Sequence, residues 1–269
     1  APVHGNPGAR GLMLPFTPDD LIAQLQLYLW PFLRISAMML VAPVFSSAQV
    51  TVRVRVLLAI TVAVLMAPLL PPPPAIDPVS TFGLLLALRE VAVGLVMGFV
   101  LQLVFGAVVV AGHSIAMTMG LGFAMSVDPQ NGVQVPVVSQ LNVVLATLLF
   151  LAIDGHLMLF AAMAESFTVL PVASATTTES IFASVVALGS QLFASALLLA
   201  LPTLTAILMI NVAFGVITRA APQLNIFAVG FPVTILAGFL FMLLALPSFI
   251  TALRRFLETG LEQTLLVLS

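Results

Sequence analysis

The sequence predicts an all-α integral membrane protein made of helical hairpins with broken helices. Three observations predict it. Hydrophobic residues make up 61% of the chain and charged residues only 7%, with a mean hydropathy of +1.23; a soluble domain carries about 25% charged residues. The apolar residues gather in runs long enough to cross a hydrocarbon core, which takes about 20 residues per helix. Linkers separate the runs, among them the stiff polyproline stretch "PPPPAIDPVS" at Pro71–Ser80, which cannot be helix.

Taken in order, residues 1–16 are polar and turn-rich. They do not read as a secretory signal, because Pro15, Pro18, Asp19 and Asp20 interrupt the approach to the first apolar run. They are expected to be a disordered or non-native extension, with Met13 as a candidate start, and residues 17–269 to be one helical domain. The apolar segments are Leu21–Phe45, Val54–Leu70, Phe82–Ala111, Leu141–Phe167, Ile181–Ile217 and Ile226–Leu257, followed by the amphipathic tail "LEQTLLVLS". Breaks are expected near Pro31, Pro43, Gly112 and Pro202.

A plain six-span reading fits poorly. Ile181–Ile217 would make roughly 55 Å of helix at about 1.5 Å per residue, against a bilayer core of about 30 Å. Arg53, Arg55 and Arg219 on one side balance Arg10, Arg254 and Arg255 on the other, so arginine placement selects no orientation. One Trp and one Tyr leave little of an interfacial aromatic belt.

Several polar residues lie in or beside the apolar runs: Arg34, Arg89, Glu90, Asp154 and Glu165. Such groups are costly in lipid and face a protein interior or a watery path. They are expected to be buried, either as a conduit or as structural ion pairs between helices. Gly94, Gly98, Gln102 and Gly106 share one helix face, where small residues let another helix approach. That stripe serves either internal packing or a partner.

Chemistry-bearing motifs are sparse. The chain has no cysteine, which excludes disulfides and thiolate metal sites. A net charge of −2 offers nothing to nucleic acid. Asp154–Gly155–His156 is the only acid–base cluster. Residues two apart diverge on a helix, so the pair either cooperates across a break at Gly155 or marks a helix end at an aqueous edge. Neither an enzyme nor a cofactor is expected. An ion-coupled transporter is the alternative, although no matched pair of broken helices suggests its internal repeat.

The unusual stretch is central: "MTMGLGFAMSVDPQNGVQVP", Met117–Pro136, apolar at its start yet rich in Gly, Met and Pro. Methionine conforms to irregular shapes and glycine lets the backbone re-form.

Three stretches carry a family resemblance: "LWPFLRISAMMLVAPVFSS" with the basic turn "RVRVLLAI", then "GLGFAMSVDP", then "LALPTLTAILMINVAFGVITRAAPQLNIFAVGFP". The last, with Arg219, Pro222, Gln223 and Asn225, is the most specific. Together the chain resembles the FliR family, the R component of the flagellar type III export gate. The resemblance implies a bacterial inner-membrane subunit of the flagellar basal body, assembled with FliP and FliQ into a helical-hairpin cone and meeting FlhB. It implies that one R subunit completes a ring of FliP, that the complex stands largely above the membrane plane while touching lipid, and that R joins a P-like part to a Q-like part. Unfolded flagellar subunits would pass through its lumen, driven by the proton motive force and a separate ATPase. It also implies a plug loop, here Met117, Met119, Gly120, Leu121, Gly122, Phe123, Ala124 and Met125, ending at Asp128–Pro129. The other reading of that loop is a re-entrant packing segment.

Overall fold

The structure, a computed structural model, describes residues 18–74, 76–122, 137–173, 178–221 and 226–267. Every regular element among them is a helix: α1 (Pro18–Val41), α2 (Val52–Met66) extended by a 3-10 turn at Ala67–Leu69, α3 (Thr81–Thr118), α4 (Val137–Ala152), α5 (Gly155–Val169), α6 (Thr178–Ala220) and α7 (Ile226–Leu266). The expected N-terminal extension lies outside the described residues.

Three of the four expected breaks are absent. Pro31 lies inside α1 and Pro202 inside α6, and α7 runs through Pro232 and Pro247. In an apolar environment no water competes for the backbone, so a helix survives the loss of one donor. Gly112 also stays helical. There its missing side chain admits α4, since a Cβ would lie 2.6 Å from Cα of Ser139. Pro43 does fall in the turn after α1.

A further break lies within Leu141–Phe167, at the Asp154–Gly155–His156 cluster read as a break or a helix end, and α4 and α5 meet there at 66°. Asp154 holds it in the left-handed region, φ 56°, which Asp tolerates better than most residues. Its N–H donates to the Leu151 carbonyl at 3.2 Å, closing α4. Its own carbonyl accepts from the Leu157 and Met158 N–H groups at 2.9 and 3.0 Å, opening α5.

α3 is the axis, packing against α1, α4, α6 and α7. Its start is capped: Ser80 Oγ accepts from the Gly83 N–H at 3.0 Å, satisfying an orphan donor of the first turn. Gln26 Nε2 donates to the Ile76 carbonyl at 2.7 Å and pins the polyproline linker to α1. Arg55 Nε donates to the Phe45 carbonyl at 3.0 Å and closes the α1–α2 turn. The core runs along α3 through Met97, Leu101, Phe105 and Ile115, joined by Met38, Phe150, Leu159, Met163 and Leu257.

Among the described residues four helices are long and apolar enough to cross a membrane: α2 with its 3-10 turn, α3, α6 and α7. The bent pair α4–α5 makes a fifth if it counts as one span. α1, which carries Gln24, Gln26, Arg34 and Ser36, is not among them, so the plain six-span reading stays a poor fit among the described residues. Cover by the chain itself is uneven. It buries 56% of the most apolar stretch of α3, but 28% of that of α6 and 17% of that of α7.

Candidate functional site

The central stretch begins where α3 ends, and the geometry of that end is specific. Gly120 adopts φ +86°, which costs a side-chain-bearing residue but not glycine. Its N–H donates to the Met117 carbonyl at 3.1 Å, and the Leu121 N–H donates to the Ala116 carbonyl at 3.0 Å. This nested pair is a Schellman closure, which satisfies carbonyls that a helix end leaves orphaned.

The closed end is clamped by the α6–α7 hairpin. Asn211 Nδ2 on α6 donates to the Thr118 carbonyl at 3.3 Å. Thr234 Oγ1 on α7 lies 3.3 Å from the Met119 carbonyl and 3.0 Å from that of Phe231. Met119 is fully buried against Gly238, where a Cβ would meet its Cγ at 2.6 Å. The Phe231 ring lies over Gly120, so a Cβ there would come within 2.9 Å of Cζ. Leu121 and Gly122 are half-buried beside this clamp, whereas Met117 is exposed. Phe123, Ala124, Met125, Asp128 and Pro129 lie outside the described residues, as do Pro222, Gln223 and Asn225. Arg219 is exposed in the last turn of α6.

A second centre is charged and dry. Arg34 and Glu90 both have no exposed side-chain surface. Arg34 Nε donates to Glu90 Oε2 at 2.7 Å, Nη1 donates to Ser166 Oγ at 2.9 Å, and Nη2 donates to the Leu170 carbonyl at 3.0 Å. The guanidinium carbon also stands 3.8 Å from the centroid of the Phe167 ring, a cation–π contact. One side chain thus joins α1, α3 and the end of α5.

The five expected buried polar residues therefore divide. Arg34 and Glu90 are buried together, and Arg89 is half-buried. Asp154 and Glu165 are exposed on this chain, a correction. Asp154 sits at the bend itself, and Glu165 lies on a face of α5 that the chain leaves uncovered. In the glycine row, Gly94 lies against the Arg34 carbonyl and Ala37, and a Cβ on Gly98 would come within 2.6 Å of the Met38 carbonyl. Gly106 instead faces Leu192 of α6, and Gln102 is exposed.

Sequence reasoning missed the clamp residues Asn211, Phe231, Thr234 and Gly238, and the arginine partners Ser166 and Phe167. A polar Asn and Thr within otherwise apolar helices were the available signal, because such groups seek partners in the protein.

A helix axis that ends in a clamped, glycine-closed turn, flanked by long apolar helices with little cover of their own, defines a membrane-type helical protein. The chain matches the family described as "Bacterial export proteins, family 1" over residues 25–260, and it belongs to that family. It is similar to the flagellar biosynthetic protein FliR of Escherichia coli strain K12, 39% identical over 237 residues, which cover 87% of this chain and 90% of that protein. The FliR of Pectobacterium carotovorum is 38% identical over 236 residues, with the same coverage. That of Bacillus subtilis strain 168 is 28% identical over 247 residues, 91% of this chain and 95% of that one.

Proposed function

We propose that this chain is the FliR-type structural and gating subunit of the flagellar type III protein export channel, set in the bacterial inner membrane at the basal body. The observation that carries the reading is the near-full-length likeness to flagellar biosynthetic proteins together with family membership. Family membership also favours export over ion-coupled transport. On this reading residues 17–269 act as one domain, FliP and FliQ complete the channel, FlhB adjoins it, and unfolded flagellar subunits pass through.

The stretch from Met117 to Pro129 is proposed as the plug. A seal for such a channel must yield to a polypeptide yet exclude ions, and hydrophobic constrictions exclude ions by dewetting. The clamp supports this role by fixing the loop's first residues to α6 and α7, which gives a plug a firm root.

Deleting Gly122–Met125 tests it, because the Schellman closure at Gly120 and Leu121 stays in place. The expected outcome is an assembled complex that leaks small ions, read as conductance or as poor growth under ionic stress. Phe123→Ala should leak less. Loss of assembly with no leak would make the loop packing material and assign the seal to another subunit.

A further inference from the structure

Beyond export, the far end of the α6–α7 hairpin carries an open groove. Polar groups of Gln191 and Ser195 on α6 and of Arg255 and Thr259 on α7 line it beside Leu198 and Phe256, with a volume of about 440 Å³. The two arginines there differ. Arg254 Nε donates to Glu258 Oε1 at 2.8 Å, whereas Arg255 is exposed and has no ion-pair partner among the described residues.

The groove also lies where this end of the hairpin gathers its charged side chains, among exposed Val186, Phe193 and Leu266. There lie Arg254, Arg255, Glu258, Glu262 and the Gln263–Gln191 hydrogen bond at 3.0 Å. Away from them, the hairpin continues as exposed Leu197, Leu198, Leu201, Leu243 and Leu244. An uncompensated guanidinium with nearby hydroxyl and amide groups suits a phosphate. Apolar walls leading away from it suit acyl chains. Basic pockets between membrane helices take anionic headgroups for this reason.

We propose that this groove is a binding site for one anionic phospholipid, its phosphate on Arg255 and its acyl chains along Leu198 and Phe256. This end of the hairpin then lies at headgroup level, whether or not the chain serves export.

The test uses the full chain in its purified complex, with phosphatidylglycerol added and retained lipid counted by native mass spectrometry. Arg255→Gln should lower retention about fivefold, the effect of one arginine at an anionic surface. Arg254→Gln should leave retention near wild type, because that guanidinium already has a carboxylate. Ser195→Leu, which fills the groove while keeping the charge, should also lower it. Glycerol phosphate should not displace the lipid, since it lacks the chains. Equal losses from both arginine variants would mean general surface attraction and overturn the site. Retention unaffected by Arg255→Gln would overturn it too, leaving the groove to a partner's helix or to no ligand.

Discussion

Arg34 has no path to water, and its bonds hold three helices at one point. A buried pair is not in itself a large source of stability, because desolvation offsets the attraction, but breaking one half strands the other. Arg34→Met alone should therefore cost about 3–5 kcal/mol. The double change Arg34→Met with Glu90→Leu should recover much of that, measured by thermal unfolding in detergent micelles. A double variant as unstable as the single one would show that the bonds to Ser166 and Leu170 matter more than the pair. Gly120 makes a second residue-scale case. Gly120→Ala places a Cβ on a left-handed backbone and against the Phe231 ring, an expected loss of about 1–2 kcal/mol from the backbone alone. Gly120→Asn should lose less on the backbone, since Asn adopts that conformation more readily. The same unfolding measurement compares the two.

At the scale of elements, α1 and α3 are in backbone contact through Gly94 and Gly98. Gly98→Leu must part them, because its Cβ would meet a carbonyl rather than a movable side-chain tip. The expected cost is about 1–3 kcal/mol, the range for overpacking, with a fall in the yield of complex. Gly106→Ala should be milder, since it meets only Leu192 Cδ1, at 3.1 Å. Unchanged yield and motility for Gly98→Leu would remove this row from any account of assembly. Helix positions were legible in the sequence because hydropathy reports where a chain leaves water. Punctuation was less so. Pro31, Pro202 and Gly112 read as breaks by rules learned in water, and all three stay helical. The bend at Asp154 was legible in part: Asp154, Gly155 and His156 in an apolar run read as a break or a helix end, but nothing local gave its angle. The loop's start was legible as a Gly- and Met-rich stretch. Its clamp was not, because Asn211 and Thr234 lie far along the chain and only the fold brings them to it.

For the whole molecule, the uneven cover of the helices is the main fact. Thr203 and Ile207 of α6 are buried within the chain, whereas Leu208, Val212 and Val216 are exposed near the clamped end. If partner subunits cover that face, cysteines at Leu208, Val212 and Val216 should react with a lipid-soluble maleimide in the chain made alone. They should be protected in the complex. Ile207→Cys should stay unreactive in both. Reaction at every face in the complex would favour a conventional bundle bathed in lipid.

The clamp on α3 also imposes an order of events. Thr118 and Met119 wait for partners 93 and 115 positions later in the chain. At about 5–20 residues per second of synthesis, that interval is on the order of ten seconds. Throughout it, the axis of the molecule exists without the hairpin that will grip it. Its long apolar stretch then has a second use: α3 can reside in the bilayer as a finished helix, its Glu90 already paired with Arg34 of α1, while the ribosome completes α6 and α7. On that timetable the last hairpin docks onto a helix already formed.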